Sequence, residues 1–476
     1  MNQDDLDTSG AVAVHPWSDV YPKDIDWHAP IPPRPLFSLV NDAVECHPEV
    51  VCTHFLGRTL TYAQIGTRIN EAAAALQSLG VNKGTRVGLF LPNSPTYIVY
   101  YFATLKAGGI VVNFNPLYAI EELAFQVQDS GVELMVTLDL KALFGKVEPL
   151  IERGVLQKAL IASFPALLPG TKAALFKLFK SQDLARPLAS PGTDRLLREA
   201  DVLQAGSMPH PVDIDPERDL AVLQYTGGTT GTPKGAMLTH YNVYANAEQV
   251  ARWAPQLVRG EESFLGVLPF FHVFAMTVVM NFAIRTASTM IILPRFELAA
   301  LMQLINTTKP TVMPAVPTLF NAIMNFPKVK NHYLRSLKFC ISGGAPLPLA
   351  VKRGFEDATG CVVVEGYGLT EASPVVTCNA TAGPMREGSI GMPLPQTEVS
   401  LRDLDDPARP VPQGEKGEVC VRGPQVMLGY WQRPEETKAV FTPDGFLRTG
   451  DVARMDRDGL FSIEDRIKDL IICSGY

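Results

Sequence analysis

Short apolar segments alternate with amphipathic segments of helical length along much of this 476-residue chain. Residues 68–80 (RINEAAAALQSLG) have helical periodicity and end at Gly80, a residue type that commonly terminates helices. An apolar strand at 86–91 follows, then a helix that stops at the glycine pair 108–109, then an apolar strand at 110–113. Strands that alternate with helices at this spacing are typical of parallel sheets packed against helices. The sequence therefore predicts an α/β fold.

Changes in composition divide the chain into regions of different character. Residues 1–35 are acidic and proline-rich, which predicts an N-terminal arm. Residues 36–215 and 216–390 both carry the alternating pattern and are predicted to form two α/β-layered subdomains. Residues 391–465 change to short strands with Asp-Gly turns, which predicts a smaller β-rich subdomain.

Charge and cysteine usage exclude several classes of protein. Lysine and arginine number 42 against 49 acidic residues, whereas a nucleic-acid-binding protein usually has a basic excess or stripe. The seven cysteines are scattered without a Cys-x-x-Cys pair, so they are predicted to be reduced packing residues. The N-terminus lacks the basic start and apolar run of a secretory signal. We therefore expect a cytoplasmic protein that binds no nucleic acid.

One apolar segment is long enough to raise the question of a membrane span. Residues 264–284 carry no formal charge, and their length meets the criterion for a spanning helix. Pro269, His272 and Asn281 interrupt the segment, however, and its first residues have the composition of a strand end. The sequence therefore predicts a buried strand followed by a helix.

A glycine- and threonine-rich segment, 225–235 (YTGGTTGTPKG), follows the apolar strand 220–224. Glycines let backbone N–H groups turn toward an anion, threonines add donors, and Lys234 supplies a positive charge. The segment lacks the G-x-x-x-x-G-K-[ST] spacing of the common P-loop, which disfavours a generic NTPase or kinase. These residues predict a loop that binds nucleotide phosphates; the alternative is a surface turn.

This loop resembles the phosphate loop of the adenylate-forming superfamily, which contains acyl-CoA synthetases, luciferases and the adenylation domains of peptide synthetases. The resemblance extends from about residue 60 to residue 476, and segments 91–94 (LPNS), 112–118 (VNFNPLY) and 426–431 (VMLGYW) are most similar to bacterial long-chain fatty acid–CoA ligases. It implies the N-terminal domain fold of that superfamily, with ATP, a fatty acid and CoA as substrates and Mg²⁺ as cofactor.

A second segment, 365–371 (EGYGLTE), resembles the family segment that closes over the nucleotide. The resemblance implies that Tyr367 stacks on adenine, that Thr370 contacts a phosphate and that Glu371 binds Mg²⁺. It also implies that Asp451 accepts hydrogen bonds from the ribose, although without the family Asp451 could equally be a turn residue. The implied nucleotide-binding residues are Thr226, Gly227, Gly228, Thr229, Thr230, Gly231, Gly343, Gly344, Ala345, Glu365, Gly366, Tyr367, Gly368, Thr370, Asp451 and Arg466, and Thr226 joins Glu371 as an implied metal ligand.

Residues 269–276 (PFFHVFAM) resemble the family segment beside the substrate carboxylate. A single histidine among aromatic residues is more often a core residue, but the resemblance makes His272 a candidate for positioning the acid. A general base is not needed, because a carboxylate is already ionised at pH 7. Some long-chain family members have a gating tryptophan where Met276 stands here, so gating is expected to differ. The implied acyl-pocket residues are His272, Val273, Met276, Val316 and Pro317.

The resemblance also implies a reaction. The acid's oxygen attacks the α-phosphate of ATP in line, with Lys234, Thr370 and His272 as the implied catalytic residues, and the CoA thiol then displaces AMP. Residues 466–476 resemble the start of the family's hinge, with Lys468 at the pivot. Family members continue into a small C-terminal domain that carries a catalytic lysine. We therefore expect residues 1–476 to bind ATP or acyl-AMP and to turn over poorly.

Several alternatives stay open at this point. The acid could be aromatic or of medium chain length, or the acyl-AMP could pass to a carrier protein. A different class of function is a non-catalytic module that binds a nucleotide or acyl-AMP. Separately, residues 172–180 form a basic amphipathic segment that is either a surface helix with buried leucines or a site of peripheral membrane contact.

Overall fold

The computed structural model describes residues 15–185, 195–226, 233–327, 329, 332–381 and 386–466. Three sheets of nine, seven and four strands form its framework, and helices pack against the two larger ones. In chain order the strands are β1 (Val51–Phe55), β2 (Arg58–Thr61), β3 (Arg86–Leu89), β4 (Ile110–Asn113), β5 (Leu134–Leu138), β6 (Lys158–Ala162), β7 (Leu196–Arg198), β8 (Leu220–Thr226), β9 (Lys234–Thr239), β10 (Ser263–Gly266), β11 (Thr289–Ile292), β12 (Val312–Ala315), β13 (Phe339–Ser342), β14 (Val362–Gly368), β15 (Val375–Cys378), β16 (Met392–Pro393), β17 (Glu398–Arg402), β18 (Lys416–Arg422), β19 (Leu447–Met455) and β20 (Phe461–Arg466).

Helices connect most of these strands. They are α1 (Ser38–Cys46), α2 (Tyr62–Ser78), α3 (Pro95–Lys106), α4 (Ile120–Ser130), α5 (Lys141–Glu152), α6 (Gly170–Phe179), α7 (Glu199–Val202), α8 (His240–Trp253), α9 (Val273–Ala275), α10 (Phe282–Arg285), α11 (Leu298–Thr308), α12 (Pro317–Met324), α13 (Leu349–Thr359) and α14 (Pro434–Val440). Short 3₁₀ turns add Pro165–Leu167, Ser181–Asp183 and Thr370–Ala372, and a π-helical stretch, Met276–Asn281, joins α9 to α10.

The two larger sheets are mainly parallel. The seven-stranded sheet has the order β7-β6-β5-β3-β4-β8-β9, in which β9 alone runs antiparallel to its neighbour. The nine-stranded sheet has the order β16-β15-β14-β13-β12-β10-β11-β1-β2, with a parallel centre and antiparallel strands at both edges. The four-stranded sheet β17-β18-β19-β20 is antiparallel. The α/β prediction with a smaller β-rich part is confirmed.

The two larger sheets exchange strands across the predicted boundary at residues 215 and 216. Strands β1 and β2 precede that boundary but pair beside β11 in the nine-stranded sheet. Strands β8 and β9 follow it but complete the seven-stranded sheet beside β4. The predicted boundary therefore does not separate the sheets, because strand pairing depends on long-range contacts that local composition does not encode.

The helix predicted for residues 68–80 begins earlier, at Tyr62. Thr61 and Gln64 form a reciprocal capping box there, in which each side chain accepts a hydrogen bond from the other residue's backbone N–H. Such a cap satisfies backbone donors that the first helical turn leaves unpaired. At the other end, Gly80 has φ of +97°, the left-handed conformation that glycine adopts without steric cost.

The apolar segment 264–284 forms the end of β10 and the helical stretch from α9 to α10, as predicted. Most of its side chains lie in the core, where Phe264 contacts the ring of Phe282 edge-on. No helix in the described part of the chain is both long and apolar enough to span a membrane.

The described part of the arm, residues 15–35, packs against segments from the other end of the chain. Trp17 and Ile31 are buried, and the hydroxyl of Tyr21 donates to the backbone oxygen of Pro393 at 2.9 Å. The six cysteines among the described residues are unpaired, as the sequence predicts, although the sulfurs of Cys340 and Cys361 lie 3.6 Å apart.

A buried histidine makes the stability of this fold pH-dependent. The side chain of His240, at the start of α8, is 1% exposed, and its Nδ1 accepts a hydrogen bond from the backbone of Leu36 at 3.1 Å. Burial lowers the pKa of His240 from 6.5 to about 4, so the folded protein holds the neutral ring. Because the folded-state pKa lies below the unfolded-state value, this stabilisation is complete above about pH 6.5 and is lost as the pH falls toward 4.

We therefore expect acidification from about pH 7.5 to about pH 4 to reduce the free energy of unfolding by about 3 kcal/mol through His240. Urea titrations across this range would measure the change. In His240→Asn, an amide oxygen can replace Nδ1 as acceptor without titrating, so the variant should lose less stability on acidification. Equal losses in both proteins would contradict the assignment.

Candidate active site

A cavity of about 1020 Å³ lies where the carboxyl ends of β8, β13 and β14 meet the four-stranded sheet. Binding sites in α/β proteins commonly form at the carboxyl ends of parallel strands. Of the residues predicted from the sequence, those that line the cavity are Thr226, Lys234, His272, Val273, Val316, Gly343, Gly344, Gly366, Tyr367, Gly368, Thr370, Glu371, Asp451 and Arg466. The fold thus brings both resemblance segments to one cavity.

Some of the predicted residues do not line this cavity. Met276, expected in the acyl pocket, is fully buried behind the wall, where its sulfur accepts a hydrogen bond from the side-chain amide of Asn113 at 3.5 Å. The Glu365 carboxylate accepts a hydrogen bond from the backbone N–H of Leu347, and Pro317 is buried in the first turn of α12. Ala345 is exposed outside the cavity lining. Gly227, Gly228, Thr229, Thr230, Gly231 and Lys468 lie outside the described residues.

The ends of the predicted phosphate loop are held together by strand pairing. Strands β8 and β9 are antiparallel, and Thr226 lies directly opposite Lys234 in their register. Both residues face the cavity, so the loop that joins them begins and ends at its wall. The phosphate-binding role of the loop, with Lys234 as its positive charge, stays a prediction from sequence.

Tyr367 and Asp451 lie against each other at the cavity wall. The hydroxyl of Tyr367 donates to the Asp451 carboxylate at 2.6 Å, and Nε of Arg466 donates to the other carboxylate oxygen at 2.7 Å. Burial, with a further contribution from Asp451, raises the pKa of Tyr367 well above its usual value, so the phenol stays protonated. Asp451 therefore accepts one hydrogen bond from Tyr367 and one from Arg466, which lies opposite it in the pairing of β19 with β20.

Glu371 and Lys234 face the same cavity from different segments. The Glu371 carboxylate accepts a hydrogen bond from the hydroxyl of Tyr430 at 2.6 Å. The ammonium group of Lys234 forms an ion pair with Glu436, on α14, and lies 5.2 Å from the ring centre of Tyr430. Among the described residues, no three His, Cys, Asp or Glu side chains are clustered closely enough to bind a metal ion.

A single carboxylate at the cavity wall is enough to bind a cation that is also bound by nucleotide phosphates. Mg²⁺ prefers oxygen ligands and usually takes only one or two carboxylates from the protein, with phosphate and water oxygens as the rest. Glu371 supplies one carboxylate at the cavity wall, and the Thr226 hydroxyl is a second oxygen on the same cavity. The residues present therefore fit a magnesium–nucleotide complex.

His272 lies at the N-terminal cap of α9, where its Nδ1 accepts a hydrogen bond from the backbone of Phe274 at 3.3 Å. The ring is open to the cavity, yet the surrounding protein desolvates it and lowers its pKa. A neutral imidazole that already accepts at Nδ1 has Nε2–H as its donor. His272 can therefore donate a hydrogen bond to an acid's oxygen, in line with a positioning role.

A polar residue with no role predicted from sequence, Asn93, supports the wall around His272. The Asn93 amide donates to the backbone oxygens of Gly266 and Leu268, and its oxygen accepts from the backbone of Phe270 at 2.7 Å. These buried bonds fix the segment that leads into His272. Asn93 belongs to segment 91–94 (LPNS), whose sequence indicates a family resemblance but no role for this side chain.

A second buried chain of hydrogen bonds crosses between the two larger sheets. The side-chain amide of Asn113 donates to Gln224 at 2.9 Å, and the amide of Gln224 donates to the backbone oxygen of Phe271 at 2.9 Å. Tyr97 completes the chain by donating to Asn113 at 2.7 Å. Asn113 and Gln224 both line the cavity, so this hydrogen-bonded chain forms a polar part of its wall.

The chain is similar in sequence and in structure to known ligases. The family described as "AMP-binding enzyme" matches residues 40–431. A long-chain-fatty-acid–CoA ligase of Bacillus subtilis is 42% identical over 461 residues, which cover 97% of this chain and 82% of the relative. A ligase of the same name from Salmonella typhimurium is 38% identical over 470 residues, with the same coverage. The crystal structure of a long-chain-fatty-acid-CoA ligase from Archaeoglobus fulgidus superposes with a TM-score of 0.76 at 25% identity, covering 92% of this chain and 86% of that one.

Proposed function

The chain belongs to the AMP-binding enzyme family, and we propose that its cavity joins ATP and a long-chain fatty acid as an acyl-adenylate, whose acyl group then passes to CoA. The observation that carries this proposal is the convergence of Lys234, Glu371, Tyr367 and Asp451 on one cavity with the His272 segment. The identity to long-chain-fatty-acid–CoA ligases, spread over nearly the whole chain, supports both the ligase activity and the acid class.

We assign the nucleotide to the half of the cavity that contains Tyr367 and Asp451. The Tyr367 ring would stack on adenine, and the Asp451 carboxylate would accept hydrogen bonds from the ribose beside Arg466. Gly343, Gly344, Gly366 and Gly368 would allow a flat ring to approach the backbone closely. Lys234, Thr226 and Thr370 would contact the phosphates, as would the glycines and threonines of the loop, and His272, Val273 and Val316 would contact the acid.

The protein's contribution to the reaction is placement and charge neutralisation. Mg²⁺, held by Glu371 and Thr226, would neutralise phosphate charge when bound. Lys234 would stabilise the negative charge that develops on the phosphates, and Thr370 would donate to a phosphate oxygen. His272, through Nε2–H, would hold the acid's carboxylate in line with the α-phosphorus, which lowers the entropic part of the barrier. No side chain has to remove a proton, because the acid enters ionised.

Pyrophosphate exchange tests the proposed function directly. Radioactive pyrophosphate should enter ATP only when an acid is present, and palmitate should stimulate the exchange more than octanoate or benzoate. Strongest stimulation by benzoate or octanoate would favour the aromatic or medium-chain alternative. The same assay on a chain extended through the family's C-terminal domain should give stronger exchange. Absence of exchange in both chains would favour the non-catalytic module, and a failure to bind ATP would refute the proposal. An assay without CoA measures adenylation alone. A carrier protein offered in place of CoA would test the alternative acceptor of the acyl group.

We also propose that α6 contacts an anionic membrane surface, while the cytoplasmic location stays a prediction from sequence. The leucines were expected to be buried if α6 were an ordinary surface helix, but no residue of α6 is buried. Leu175, Leu178 and Phe179 are 54%, 70% and 71% exposed and form one apolar stripe. The segment 170–180 contains lysines and no acidic residue, in a chain of net charge −7. An exposed basic and apolar helix is typical of peripheral membrane contact.

Replacing Leu178 and Phe179 with serine is expected to weaken binding to phosphatidylglycerol vesicles about tenfold or more, because both side chains would leave the lipid interface. Vesicle sedimentation would measure the change. Serine at Val258 and Leu404, which are 49% and 43% exposed elsewhere on the surface, is the matched control. Equal vesicle binding by the two double variants would remove α6 as the contact.

A further inference from the structure

The segment before α14 runs beside the strand that carries Lys234. The backbone N–H of Met237 donates to Gly429 at 2.9 Å, the N–H of Leu428 donates to Met237 at 3.0 Å, and the N–H of Trp431 donates to Gly235 at 2.8 Å. Through these bonds the segment pairs antiparallel with β9, and Tyr430 lies opposite Ala236 at the centre of the pairing. The backbone of Tyr430 is therefore fixed relative to the phosphate-binding strand.

The side chain of Tyr430 lies between two opposite charges of the site. Its hydroxyl donates to Oε1 of Glu371 at 2.6 Å, and the face of its ring lies 5.2 Å from the ammonium group of Lys234. Tyr430 is the one side-chain hydrogen-bond donor to Glu371 among the residues that the structure describes. A carboxylate with one oxygen held by a neutral donor keeps its second oxygen for another ligand.

We propose that Tyr430 is a positioning residue for the magnesium–triphosphate complex. Its hydroxyl orients the Glu371 carboxylate toward the metal, and its ring holds the Lys234 ammonium on the other side through a cation–π contact. This inference rests on the proposed function, since it concerns how the same site receives its nucleotide. The hydroxyl thus acts on metal binding through Glu371, and the ring acts on phosphate binding through Lys234.

Glu436 completes this arrangement around Lys234. Its carboxylate pairs with the lysine, while Arg433 lies 3.8 Å from Glu436 and 2.7 Å from Asp129. The carboxylate of Glu436 thus provides the anion that Lys234 contacts before phosphate binds. When phosphate replaces it, the ring of Tyr430 stays beside the ammonium group, because the backbone that carries the ring is paired with β9.

Tyr430→Phe separates the hydroxyl from the ring. We expect the variant to bind ATP in EDTA as tightly as the unmodified protein, but to lose about 10- to 100-fold of the affinity for ATP in the presence of Mg²⁺. Isothermal titration with ATP, in EDTA and in Mg²⁺, would measure both values without turnover. Bound Mn²⁺, followed by electron paramagnetic resonance, should fall in parallel. Tyr430→Leu removes the ring as well and should weaken ATP binding in EDTA too.

The matched control is Tyr241→Phe, which deletes a phenol hydroxyl that donates to the backbone oxygen of Ile31 at 2.7 Å, outside the cavity lining. This control should bind ATP normally with and without Mg²⁺. Magnesium-dependent affinity that is unchanged in Tyr430→Phe, or an equal loss in EDTA and in Mg²⁺, would overturn the inference. Failure of the unmodified protein to bind ATP would instead refute the proposed function.

Discussion

Replacing Lys234 with methionine should weaken ATP binding about 100-fold, because a charged hydrogen-bonding group is removed from the phosphate contacts. Methionine keeps most of the side-chain volume, so β9 should fold as before. The substitution also removes the lysine from Glu436, which keeps its contact with Arg433 at 3.8 Å but adds negative charge next to the phosphates. Isothermal titration with ATP would measure the affinity, and pyrophosphate exchange should fall at least as much.

Lys83→Met is the matched control for this prediction. Lys83 also forms an ion pair with a carboxylate, Asp219, at 2.6 Å, but it does not line the cavity. ATP affinity should be unchanged in this variant, and Lys234→Arg should keep part of the affinity because it keeps the charge. If Lys234→Met bound ATP within about threefold of the unmodified protein, the phosphate role of Lys234 would be wrong.

Gly368→Ala should destabilise the protein by about 3 kcal/mol and abolish nucleotide binding. A Cβ atom at Gly368 would lie 2.1 Å from the backbone oxygen of Pro374, so β14 and β15 would have to separate. No side chain can rotate away to relieve this contact, since the atom it meets belongs to the backbone. Tyr367 would move with the strand, and with it the hydrogen bond to Asp451. Urea unfolding and ATP titration would measure the two effects.

Gly366→Ala provides the comparison within the same motif. Its Cβ would have no neighbour closer than the backbone oxygen of Thr377 at 3.5 Å, an ordinary van der Waals distance. The unfolding free energy should therefore change by less than about 1 kcal/mol. Equal destabilisation by the two alanines would show that the effect at Gly368 is not the steric contact seen here.

The fold class followed from sequence because its signal is local. The apolar strands 86–89 and 110–113 and the glycines that end the intervening helices mark parallel β-α units without any long-range information. The earlier start of α2 was also encoded, since Thr61 and Gln64 have the spacing of a capping box. The order of strands in the two larger sheets was not encoded in this way, because it depends on which distant segments pair.

The candidate site was predicted mainly where short motifs carry the chemistry. Lys234, Tyr367 and Glu371 lie in such motifs and line one cavity. Met276, expected in the acyl pocket, is buried at the start of the π-helical stretch, because the resemblance indicates its position in sequence but not the direction of its side chain. Tyr430 could not be given a role from sequence, since its contact with Glu371 depends on the pairing beside β9.

The exchange of strands between the two larger sheets affects how the chain can fold during its synthesis. A nascent polypeptide that has reached residue 215 lacks β8 and β9, and its antiparallel pair β1–β2 has no further strand beside it until β11 is synthesised. The seven-stranded sheet has all its strands once β9 is made, and the nine-stranded sheet only once β16 is made. The seven-stranded sheet can therefore be completed first, and a cut near residue 215 leaves each fragment without strands that its sheet needs from the other fragment.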